Sequence, residues 1–257
     1  MKINSDYHTH TTYSHGKGSI LDNAVAAKEA GLYEVAITDH GFSHPAFGMR
    51  RRKLDKEIVE CREAAEKTGV KVLLGIESNL LGKKGVIDVK EKDYEKLDII
   101  LAGVHRFVLY DGITDAFNLL ARNFFCTTFK KMPSQSLIKY NTKVYVEAIK
   151  KHPIDIITHT NYLCFADAAE VAKACADYGT YFEINTKKIH LTEEEWQKVF
   201  DTKVNFIVDS DAHSPARVGD ISLFEELSKT INFPLDRIHN IGDKHPTFRF
   251  AEFKKRL

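Results

Sequence analysis

Seven short apolar runs recur along the chain, and their residue types limit the folds open to it. They cover residues 3–7, 34–38, 71–76, 98–103, 154–158, 180–184 and 205–208. Most are β-branched or aliphatic with little polar alternation, the pattern of strands covered on both faces of a parallel sheet. Stretches of helical period lie between them. Residues 19–30 open on Ser19, suited to cap a helix N-terminus, and stop before Gly31. Residues 53–68 stop before Gly69, and residues 166–178 before Gly179. Thr192, with Glu195 three positions on, reads as a capping box. Strand then helix, repeated seven times, predicts a βα barrel or a doubly wound sheet.

No internal repeat, low-complexity tract or Pro/Gly-rich linker divides the 257 residues, so one domain spanning 1–257 is expected. The longest excursion is residues 106–153, between the fourth and fifth runs, with helices expected near 115–130 and 134–151. Insertions of this size in a βα unit serve as lids, as substrate walls or as extra packing.

Lys and Arg number 37 against 36 Asp and Glu, a formal charge of +1. That balance excludes a protein working by bulk attraction to nucleic acid or anionic membrane. The basic clusters at 50–53, 83–84 and 254–256 then read as solvated faces. No apolar run approaches the roughly 20 residues of a membrane span, and the first ten residues lack the pattern of a signal peptide. Cys61, Cys126, Cys164 and Cys175 form no C-x-x-C pair and read as reduced thiols of a cytoplasmic protein.

The histidines give the chemistry. His8 and His10 close the first run at a spacing of two, which puts both on one face of a strand. His15 follows in the next loop. His40 follows the second run, His105 the fourth and His159 the fifth. Asp211 and His213 form a second pair spaced by two after the seventh run, and Glu77 follows the third. Seven of the 12 histidines thus fall at or just after strand C-termini. In a parallel barrel these ends gather at one face, where the active site lies. One such histidine is ordinarily a packed one; seven would crowd basic imidazoles into one mouth without a partner. Divalent metal ions supply that partner. Imidazole and carboxylate donors without thiolate favour zinc, manganese or iron. Nine donors are too many for one ion and suit two or three.

The motifs His8-Thr9-His10 with His15, Thr38-Asp39-His40-Gly41, Gly75-Ile76-Glu77, Gly103-Val104-His105, Thr158-His159 and Ser210-Asp211-Ala212-His213 resemble the PHP (polymerase and histidinol phosphatase) family. The likeness is to its small stand-alone bacterial members and covers about four-fifths of the chain. It implies a distorted (βα)7 TIM-like barrel with three divalent ions. One ion would take His8, His10, Glu77 and Asp211; a second His15, His40 and His213; a third Glu77, His105 and His159, with Glu77 bridging. It implies an enzyme that hydrolyses a small phosphomonoester by attack of a metal-bound hydroxide, with Glu77 and Asp211 central.

Arg217, soon after His213, is a candidate to hold the substrate phosphate bidentately. Arg106 is a second candidate for the same anion, and His44 a candidate for the pocket rim. Glu183 reads equally as a support for a ligand or as a barrel-lining carboxylate. Phosphodiester or exonuclease action on nucleic-acid ends is the alternative enzyme reading. An amidohydrolase-type barrel also begins with H-x-H but commonly bridges its metals with lysine, where this chain offers Glu77. The alternative of another class is a non-catalytic metal-binding module. A small phosphorylated substrate is the expected partner, with no membrane and nucleic acid not favoured.

Overall fold

The structure is a computed structural model that describes residues 1–256. Eight strands form: β1 Ser5–Thr9, β2 Glu34–Ile37, β3 Lys71–Gly82, β4 Val86–Ile87, β5 Ile99–Gly103, β6 Ile156–Ile157, β7 Tyr181–Asn185 and β8 Phe206–Asp209. Seven are parallel neighbours in the order β1-β2-β3-β5-β6-β7-β8. A parallel bridge between Thr9 and Ala212 brings the last strand back to the first. There His10 N donates to Ala212 O at 2.8 Å and Ala212 N to His8 O at 3.1 Å. The result is a nearly closed, single-domain α/β barrel, a distorted (βα)7 form of the TIM-like architecture.

Local sequence sets the helices. In α1 (Ile20–Glu29) Ser19 caps the N-terminus and Asp22 reciprocates. In α2 (Leu54–Thr68) the chain leaves through Gly69 in the left-handed region. Further along lie α3 (Ile113–Ala116), α4 (Asn123–Thr128), α5 (Gln135–Lys151), α6 (Ala168–Tyr178), α7 (Glu193–Asp201), α8 (Ser222–Leu227) and α9 (Arg249–Lys254). The capping box expected at Thr192 and Glu195 opens α7. Among the described residues no helix is long and apolar enough to cross a membrane.

Two expectations are corrected. The strand–helix alternation lapses between β3 and β5. Strand β3 runs past residue 76 to Gly82, with Leu80 and Leu81 buried on opposite faces, and β4 then pairs antiparallel with it. The helix expected near 115–130 is broken by a π-helical segment, Phe117–Arg122. Asn123 Nδ2 donates to the carbonyls of Asn118 and Leu119, at 3.0 and 3.2 Å, which offsets hydrogen bonds lost in the wider turn.

Packing divides into two cores. The larger lies between the sheet and the surrounding helices. The smaller fills the barrel interior with Tyr7, Ala36, Ile99, Leu101, Ile156, Tyr181 and Ile207, with Phe248 against them. Apolar layers inside and helices outside leave the polar strand ends gathered at one mouth.

Candidate metal centre

All nine donors named above meet there. Glu77, on β3, is fully buried and stands at the middle. Its Oε1 lies 2.6 Å from His159 Nε2, 3.1 Å from His105 Nε2 and 3.4 Å from His8 Nε2. Its Oε2 lies 2.8 Å from His40 Nδ1 and 3.7 Å from His10 Nε2. Asp211 Oδ1 lies 3.4 Å from His10 Nε2, 3.8 Å from His8 Nε2 and 3.2 Å from His213 Nδ1. His15 joins through its ring, 4.7 Å from that of His40 and 4.3 Å from that of His213.

The donor set fits divalent ions on two observations. Donors that each sit about 2.1 Å from one tetrahedral ion lie about 3.4 Å apart, close to the spacings among His8, His10, Glu77 and Asp211. Also, His8 Nε2, both His10 ring nitrogens, His40 Nδ1, His105 Nε2, His159 Nδ1 and Glu77 Oε2 are buried without a hydrogen-bond partner. Polar atoms left so are costly unless something else satisfies them. Four groups of three could each hold an ion: His10, His40 and His213; His8, His159 and Asp211; His8, His10 and Glu77; His40, Glu77 and His105. They share members and cross the three-way division that the family resemblance implies.

At Glu77, Asp211, His15 and His40 the electrostatics agree with a donor role. Burial alone would push the Glu77 carboxyl up, but the imidazoles of His105, His8, His40 and His159 hold it well below the usual carboxylate range. Asp211 is depressed in the same way, with His8 the strongest influence against burial. Burial lowers His40 to about 3 and His15 to about 4, which keeps both neutral, as metal ligands must be. Burial works against His8 too, but Glu183, Glu77 and Asp211 outweigh it and raise that imidazole.

Neighbouring side chains set the orientation of the donors. Glu183 Oε1, on β7, lies 2.5 Å from His8 Nδ1, which turns Nε2 toward Glu77. Its Oε2 accepts from the His159 backbone N at 2.6 Å. Asn79 Oδ1 lies 2.8 Å from His105 Nδ1, and Asn79 Nδ2 donates to Asp88 Oδ2 at 2.6 Å. Asp39 accepts from Thr11 N at 2.8 Å, Thr11 Oγ1 at 2.5 Å and Ser14 Oγ, and so fixes the loop between His10 and His15. That loop folds back so closely that a Cβ on Gly16 would stand 2.5 Å from His10 O. His159 and Asp211 both adopt positive φ, +26° and +47°, conformations that cost non-glycine residues on the order of 1–2 kcal/mol and cluster at functional sites.

A cavity of about 400 Å³ opens above the donors. Arg106 and His44 line it, as does Lys187, which sequence reasoning missed. Lys187 Nζ lies 3.2 Å from Asp211 Oδ1 and 3.0 Å from His213 Nδ1. Arg217 is not brought there. Its guanidinium pairs with Asp220 at 2.7 Å and donates to Thr186 O at 3.2 Å, bracing the loop after β8. A position soon after His213 was its only sequence signal. For Lys187 the available signal was its place two residues beyond the end of β7.

A parallel barrel with a histidine-rich, carboxylate-centred cluster at its strand ends has the build of a metal-dependent hydrolase. The chain belongs to the PHP domain family, whose sequence profile matches residues 6–187. It is 28% identical to a protein of Caldanaerobacter subterraneus named a probable phosphatase, over 100% of this chain and 94% of that one. It is 31% identical to a probable phosphatase of Thermoanaerobacter sp., over 90% of this chain and 86% of that one. Its fold is similar to the histidinol phosphate phosphatase of Lactococcus lactis, solved with zinc, L-histidinol and phosphate. The TM-score is 0.62 at 15% identity, over 96% of this chain and 97% of that one.

Proposed function

We propose that this chain hydrolyses a small phosphomonoester at the mouth of the barrel. The enzyme class, a metal-dependent phosphatase, follows from family membership and from its relatives. The finer reading rests on one observation: seven imidazoles and two carboxylates converge beneath a cavity of about 400 Å³, with many of their ligating atoms buried and unpartnered.

In this reading His8, His10, His15, His40, Glu77, His105, His159, Asp211 and His213 hold zinc, manganese or iron ions, up to three. Bound there, the ions acidify a water and neutralise phosphate oxygens. The chain's own residues do the rest. Glu77 presents its two oxygens to different sets of imidazoles and keeps adjacent ligand groups in register. Glu183 holds His8 in the tautomer whose Nε2 faces the cluster. Lys187 offers an ammonium beside Asp211 and His213 for an oxygen of the reacting phosphate. His44 shapes the rim of the cavity, and burial, with His105 beside it, lowers its imidazole.

The test is metal analysis of purified protein, then a phosphate-release screen with manganese, zinc and iron. Phosphomonoesters are set against single-stranded oligonucleotides. Bound divalent metal and turnover of monoesters are expected. Cleavage of oligonucleotides alone would overturn the proposal, as would bound metal without hydrolysis across the panel.

A further inference from the structure

The cavity walls carry information about the rest of the substrate. Beyond the donors, Phe47, Phe107 and Tyr162 line it. Phe47 and Phe107 are 47% and 63% exposed, so apolar faces are open to whatever enters. Two basic side chains also line it, Lys187 and Arg106. Among the described residues the lining holds one carboxylate, Asp211, and it already faces His8, His10, His213 and Lys187.

The two cations differ. Lys187 has Asp211 as a counter-charge. Arg106 has none: among the described residues no carboxylate lies within ion-pair distance of it. Its Nη2 donates to Thr127 Oγ1 of α4, its guanidinium stands 5.1 Å over the Phe124 ring, and its Nε is buried without a partner. It is thus a held, uncompensated fork of donors suited to a carboxylate or phosphate. It follows β5, whereas Lys187 follows β7, and β6 lies between them. The two cations therefore reach the cavity from different strand ends.

We infer that the substrate is a phosphomonoester whose remainder is flat and carries a second negative charge, and that Arg106 holds that charge. The inference rests on the phosphatase reading above and narrows it. It runs against an amine-bearing substrate such as histidinol phosphate. An ammonium group would enter a cavity with two cations and find no free carboxylate.

Three aryl phosphates of one shape test this: 4-carboxyphenyl, 4-methylphenyl and 4-(aminomethyl)phenyl phosphate, with histidinol phosphate beside them. The matching phosphonates, which are not hydrolysed, are titrated calorimetrically on metal-loaded protein to remove leaving-group effects. Affinity should fall in the order carboxylate, methyl, amine, with at least tenfold between the extremes, about 1.4 kcal/mol. Arg106→Met should shrink that range to about twofold at unchanged metal content, and Arg106→Lys should retain part of it. A flat series, or preference for the amine or for histidinol phosphate, would overturn the inference. If no phosphate is hydrolysed yet the phosphonates bind in the expected order, the phosphatase reading fails and the charge preference stands.

Discussion

Glu77 is a fully buried carboxylate whose neighbours are imidazoles from four other strand ends. Glu77→Gln keeps its volume and removes the charge that holds these rings together. It should lower bound metal by more than one equivalent and phosphate release at least a hundredfold, read by metal analysis and initial rates. Glu183→Gln is a milder change, because Glu183 acts through His8. Supporting residues of this kind cost 10–100-fold in metal affinity, so activity should return with excess metal, which Glu77→Gln would not allow. Glu57 belongs to a different case. It is buried with both carboxylate oxygens unpartnered, and burial, reinforced by Asp39 and Glu60, pushes its carboxyl up to about 8. A raised carboxyl favours the fold while protonated. Its contribution is full below about pH 4.5 and is lost as pH rises through about 8. Thermal melts should therefore show the protein losing stability between about pH 4.5 and 8. Glu57→Gln should flatten that slope, by an amount on the order of a few kcal/mol at pH 9.

At the scale of elements, the strand ends do the positioning, and their packing tolerates little change. A Cβ on Gly103, the last residue of β5, would meet Thr158 Oγ1 and stand 2.7 Å from His159 Cε1. Gly103→Ala should displace the His159 imidazole and reduce metal content while circular dichroism reports an intact barrel. The same elements mark what the sequence made legible. Apolar runs and histidines spaced by two reveal the mouth because strand periodicity is local. The Ser19 and Thr192 caps are equally local, each complete within four residues. The β3–β4 hairpin was hidden because nothing in residues 71–76 says that the strand continues. Glu183 against His8, Asn79 against His105 and Arg217 against Asp220 depend on where side chains meet after folding. The first of these pairs residues 175 positions apart. The register shift in β1 between Asp6 and Thr9 further loosens any inference from alternation alone.

The molecule as a whole closes its ring between the first strand and the last. Phe248 plugs the barrel floor, and Phe250 N donates to Asp155 Oδ1 at 2.8 Å beneath it. At the opposite rim, β8 returns to β1 through the backbone bonds of His8, His10 and Ala212, with Asp209 accepting from Tyr7 N and Asp6 accepting from Ser210 beside them. Ligands that bind only the folded state stabilise it by mass action, about 2.7 kcal/mol at a hundredfold excess over Kd. Chelation should therefore lower the melting temperature, and added metal should restore it. The closure also says where the loss begins. Stripping the ions removes a partner shared by His8 and His10 at the end of β1 and by Asp211 and His213 after β8. Amide hydrogens of His10 and Ala212 should then exchange with solvent sooner than those buried along β3 and β5, so the barrel would open like a bracelet at its fastening while its far side stays shut.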